Sequence, residues 1–137
     1  KRQLLNALSR YGLPLGEAFQ LRDDLLGVFG NPEVTGKPAG DDLREGKRTA
    51  LIALALDNLD GDNRATLLAE LGNPELSHSQ IEELRTIIRT SGAVDELEEL
   101  ISTLTQQSLE AISDPSISST SHQLLHDMAQ AVVVRKA

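Results

Sequence analysis

Apolar residues recur every three or four positions along almost the whole chain, the spacing that gathers them on one face of a helix. Leu4, Leu5 and Leu8 open the pattern, which predicts a helix over Lys1 to Tyr11, ended by Gly12. A second helix is expected from Pro14, a residue tolerated in a first turn, to Phe29, ending at Gly30. Asn31-Pro32-Glu33 reads as a turn, because Pro presets its φ and Asn tolerates left-handed backbone. The periodicity resumes near Asp42 and runs to Leu59 through Leu43, Ala50, Leu51, Leu54 and Ala55. Further helices are expected over Asn63 to Leu71, from Ser77 or Ser79 to Thr90, from Val94 to Ile112, and from Ser118 to Val134. Gly72-Asn73-Pro74, Gly92 and Asp114-Pro115 separate them. No useful strand alternation and no internal repeat interrupts the series, so the expected fold class is all-α, a set of antiparallel helices.

The stretch from Pro14 to Phe29 departs from simple amphipathicity. Leu15, Ala18, Phe19, Leu21, Leu25, Leu26, Val28 and Phe29 cover most of its circumference, as in a helix buried nearly all round. Yet Gly16, Gln20, Asp23 and Gly27 share one small, polar stripe, with Asp24 beside it. An unpaired carboxylate in an apolar interior costs several kcal/mol or becomes neutral, so neighbouring aspartates there need cations, donors or water. The stripe is therefore expected to face a polar cavity. Hard cations such as magnesium take one or two carboxylates together with phosphate oxygens and waters, a role that Asp23 and Asp24 suit. The alternative is an internal ion-pair network with Arg22, Arg44 or Arg48. Downstream, the small residues around Lys37 leave room for a bulky anion.

These residues carry a family resemblance. Phe19-Gln20, Asp23-Asp24, Thr35-Gly36-Lys37 and Gly46-Lys47-Arg48-Thr49 lie at the separations of the second aspartate-rich region of the trans-isoprenyl (polyprenyl) diphosphate synthases. The chain resembles the bacterial geranylgeranyl- and farnesyl-type members over Gly16 to about Leu51. The resemblance implies the C-terminal half of an isoprenoid-synthase-type helical bundle, forming part of a single domain over residues 1–137. It implies that Asp23 and Asp24 bind Mg2+ on an allylic diphosphate, and that Gln20, Lys37 and Lys47 bind diphosphate. No catalytic residue is implied beyond these ligands. The implied reaction is prenyl transfer: the allylic diphosphate ionises, isopentenyl diphosphate attacks the cation, and proton loss leaves a longer polyprenyl diphosphate. Many members carry a third aspartate four residues after the first, where this chain has Gly27, which is not named as a ligand. The first aspartate-rich motif is absent, so the chain is expected to be a fragment without turnover of its own. The resemblance also implies a homodimer for the full-length protein.

Composition narrows the remaining choices. A net charge of −8 disfavours a nucleic-acid surface, which needs excess Lys and Arg. No apolar run approaches the roughly 20 residues that span a bilayer. Zero cysteines exclude disulfides and cysteine-held zinc, and with no export signal in the sequence the cytosol (a cytoplasmic location) is expected. His122 and His126 share a helix face but lack a third ligand. Asp57 to Asp62 fails as a calcium loop, because aligning Gly61 with the invariant glycine puts Leu56 and Leu67 at essential ligand positions. Asp95-Glu96-Glu98-Glu99 reads as a solvated face or a first turn favoured by the helix dipole. Arg135-Lys136 resembles the basic tails of some relatives, with a frayed end as the plainer reading. Against an active enzyme stand a non-catalytic, regulatory subunit of the same fold and a helical interaction module. A lineage without chemistry has no use for Asp23, Asp24, Lys37 and Lys47 at this spacing.

Overall fold

The computed structural model describes residues 1–38 and 40–134 and contains eight helices among them. They are α1 (Arg2–Phe29), α2 (Pro32–Thr35), α3 (Asp41–Glu45), α4 (Ala50–Asn58), α5 (Gly61–Glu70), α6 (His78–Thr90), α7 (Ala93–Ala111) and α8 (Ser119–Val134). No strand occurs among the described residues, so the all-α expectation holds. Arg135-Lys136 lies outside the described residues. The chain divides into two compact units, residues 1–22 with 98–134, and residues 23–97.

The first unit is built on the N-terminal part of α1, the larger part of α7, and α8. Its core gathers Tyr11, Ala111, Ile112 and Ala129, flanked by Leu15, Leu109, Ile117 and Leu125. Two helices expected from the sequence, broken at Gly12, are here one continuous α1 with Pro14 inside. Proline removes the hydrogen bond to the Arg10 carbonyl and crowds the preceding turn, so local propensity favours a break. Tertiary bonds at Tyr11, three residues before it, hold the chain there: the Tyr11 hydroxyl donates to the Leu125 carbonyl at 2.7 Å, and Ser108 Oγ donates to the Tyr11 carbonyl at 2.8 Å. Burial is also less complete than the sequence suggests, because Leu13 is 72% and Phe19 44% exposed. The apolar periphery of α1 is therefore an open face in this chain.

The second unit contains the end of α1, all of α2 to α6, and the start of α7. Leu43, Leu51, Ile52, Leu67, Ile81, Leu84, Ile88 and Leu97 form its fully buried interior. The expected turn at Asn31-Pro32-Glu33 is a short helix, because Asn31 caps it from Glu33 N–H and Pro32 enters at its start. The single helix expected from Asp42 to Leu59 is two. Gly46 takes φ 73°, closing α3, and the Thr49 side chain accepts from Ile52 N–H to start α4. A Cβ on Gly46 would lie 2.9 Å from the Gly72 Cα, so the break is locked by backbone against backbone. Ser77 and Gln80 form a reciprocal capping box at α6. The Arg85 guanidinium donates through Nε to the Val28 carbonyl at 2.6 Å, tying α6 to the last turn of α1.

Candidate functional site

Asp23 and Asp24 stand on α1 one turn before its end, where the helix has entered the second unit. Asp24 is only 9% exposed, and Asp23 is half-buried. Burial pushes the Asp24 carboxyl above the usual carboxylate range, and the nearby charges of Asp42 and Asp23 push the same way. The Ala50 backbone N–H and the Lys47 ammonium oppose that shift without overcoming it. Negative charge is thus in local excess around Asp24, the condition that a hard divalent cation relieves. This oxygen donor set fits magnesium.

Lys47 reaches the site from the loop between α3 and α4. The break at Gly46 makes that possible, since a continuous helix would have fixed Lys47 on a helical face. Its Nζ lies 3.9 Å from Asp42 Oδ2. Thr49, which caps α4, closes the same loop, and Ala50 supplies the N–H to Asp24. The Gly46-Lys47-Arg48-Thr49 motif therefore brings one ammonium near Asp24 and Asp42, and leads into α4, whose first amide, that of Ala50, reaches Asp24.

The other two residues read from the sequence are placed less closely. Lys37 is exposed beyond α2, its N–H bonded to Thr35 Oγ1 at 3.2 Å, and its ammonium makes no ion pair among the described residues. Gln20 is exposed on α1, one turn before Asp23, and lines a groove of about 450 Å³ with Gly16, Glu17, Leu21, Leu100 and Leu104. Two arginines of the alternative network bond to groups outside it as well. Arg22 makes a bidentate pair with Glu98, and Arg44 Nε donates to the Leu76 carbonyl at 3.2 Å.

Asp42 is the residue the sequence reading missed. The sequence marks it only as the start of a helix, yet its carboxyl group is buried beside both Lys47 and Asp24. Asp41, Asp42 and Glu45 can bring one carboxylate oxygen each within 4.8 Å of one another, the only such group of three among the described residues. Gly27 is the helical glycine against which the Asp42 carboxylate packs, whereas a Cβ at Gly12 or Gly16 on α1 would have nothing within 4 Å among the described residues. His122 and His126 stack with ring centroids 6.3 Å apart, and His126 Nδ1 lies 3.7 Å from Asp127 Oδ1.

The family model described as polyprenyl synthetase matches residues 1–88, which include Gln20, Asp23, Asp24, Lys37, Asp42 and Lys47. The chain belongs to the polyprenyl synthetase family. It is 33% identical over 135 residues to the geranylgeranyl diphosphate synthase of Saccharolobus solfataricus, covering 97% of this chain and 40% of that one. Among solved structures, it is similar to the geranylgeranyl pyrophosphate synthase of Corynebacterium glutamicum complexed with isoprenyl diphosphate and magnesium. That match has a TM-score of 0.93 and 44% identity, over 99% of this chain and 39% of the other. A polyprenyl synthase of Caulobacter crescentus, complexed with calcium and isoprenyl diphosphate, matches with a TM-score of 0.86 and 32% identity, over 100% of this chain and 42% of that one. The chain therefore spans about 40% of the length of such polyprenyl synthetase relatives. No helix of the described residues is long and apolar enough to cross a membrane.

Proposed function

We propose that these 137 residues are the magnesium- and diphosphate-binding C-terminal part of a single-domain trans-polyprenyl diphosphate synthase. The observation that carries this reading is Asp24, buried with excess negative charge about it and facing the Lys47 ammonium and the Ala50 amide. Asp23 and Asp24 would hold magnesium, which when bound neutralises charge on the diphosphate as it leaves the allylic carbon. Lys47 contributes a point charge of the same sign, suited to phosphate oxygens. Lys37 and Gln20 bind the outer oxygens of a diphosphate, and their exposure leaves them free to meet it. Isopentenyl diphosphate and an allylic diphosphate are the substrates, the full-length protein is a cytoplasmic homodimer, and the 137-residue chain alone gives no turnover.

The test is direct. Full-length protein incubated with labelled isopentenyl diphosphate, an allylic diphosphate and magnesium should yield longer polyprenyl diphosphates, and the yield should vanish with chelator. Failure to form any product would favour the non-catalytic subunit. Turnover by the verified 137-residue chain would contradict its reading as a part.

A further inference from the structure

Gly27 and Asp42 compete for one volume. A Cβ at Gly27 would lie 1.9 Å from Asp42 Oδ2 and 2.4 Å from its Cγ, so the carboxylate already occupies the place a side chain there would need. Asp42 is 4% exposed and comes from the first turn of α3. It rests against the bare backbone of α1, three residues beyond Asp24. From that seat Oδ2 lies 3.9 Å from Lys47 Nζ, a separation that attracts without a close hydrogen bond. A buried carboxylate is costly to keep unless it holds a cation in place. The cation it faces is the one that the loop presents beside Asp24.

We propose that Asp42 is a positioning residue of the diphosphate site: seated on Gly27, it holds the Lys47 ammonium beside Asp24, and residue 27 must lack a side chain for it to do so. This rests on the reading that Asp23, Asp24 and Lys47 bind a magnesium diphosphate. The role is distinct from metal ligation and belongs to a pair of positions on two helices. A glycine inside a helix is ordinarily improved by alanine. Here alanine would eject the Asp42 carboxylate.

Calorimetric titration of the 137-residue chain with inorganic pyrophosphate, with and without magnesium, tests the proposal. Asp42→Asn keeps the shape and removes the charge, and it should weaken magnesium-dependent pyrophosphate binding by about ten- to a hundredfold while the helical circular dichroism is kept. Gly27→Ala should weaken binding similarly and lower the thermal midpoint. The exchange Gly27→Asp with Asp42→Gly returns a carboxylate to the same volume from α1 and should recover most of the affinity lost in Asp42→Asn. Wild-type affinity in Asp42→Asn, a raised midpoint with normal binding in Gly27→Ala, or an exchange variant no better than Asp42→Asn would each overturn the proposal. Should Asp42→Asn not fold, Gly27→Ala and the exchange variant decide. Absence of magnesium-dependent binding in the wild-type chain would instead remove the site reading, and this inference with it.

Discussion

Asp24 and Asp114 are the same side chain in opposite circumstances. Asp114, in the first unit, accepts from Ser116 N–H at 2.9 Å and from the Ser116 hydroxyl at 2.7 Å, and also from Gln3 and Arg10. Those donors, the Ser116 amide foremost, hold its carboxyl down at about 2. Asp24, in the second unit, has one amide and one lysine against the burial and two like charges that push its carboxyl up. A carboxylate saturated with donors serves the fold that saturates it. Asp24 lacks such a set of donors, and under the proposed function a metal ion would supply what is missing. The contrast separates an acid that the fold satisfies from a candidate site acid without any appeal to family.

The contrast can be broken most sharply at the site. Asp23→Ala combined with Asp24→Ala should weaken magnesium-dependent pyrophosphate binding at least about a hundredfold, whereas Asp114→Asn should leave it unchanged in the same titration. In the first unit, Tyr11→Phe removes the hydroxyl bonded to the Leu125 carbonyl and should cost about 1–2 kcal/mol in denaturant unfolding, with binding unaffected.

Two pH experiments sharpen the comparison further, with opposite signs. A raised folded carboxyl favours the fold below the ordinary carboxylate range and loses that advantage as pH climbs through the raised value. Asp24→Asn should therefore raise the thermal midpoint at pH 7 in metal-free buffer, a gain that disappears below about pH 4. A lowered folded carboxyl contributes stability above its unfolded value, lost as pH falls through the folded one. The Asp114 contribution should accordingly fade between about pH 4 and the folded value of about 2, and Asp114→Asn should flatten that acid limb.

Much of the helix order was legible because periodicity and caps are local. Ser77 or Ser79, Gly92 and Asp114-Pro115 marked boundaries that the structure keeps within a few residues, with Ser77 the cap. The errors fell where distant contacts outweighed local preference. Pro14 did not break α1, and Gly46 split a helix that periodicity had joined. Asp23, Asp24 and Lys47 were named from the sequence and its resemblance, and the structure brings Lys47 beside Asp24. Asp42 was not, because its meaning depends on Gly27, fifteen positions away in sequence and in direct contact in space.

The order of residues alone determined that this chain is helical, that it carries paired acids ahead of spaced lysines, and that its motifs stand at the separations seen in the polyprenyl synthetase family. Those properties follow from spacing, and spacing is written directly in the chain. Tertiary structure alone decided which acid is buried with too few donors, which loop brings an ammonium to it, and which glycine makes room. Desolvation and steric exclusion act between groups that sequence does not place side by side, so only the folded chain could assign them.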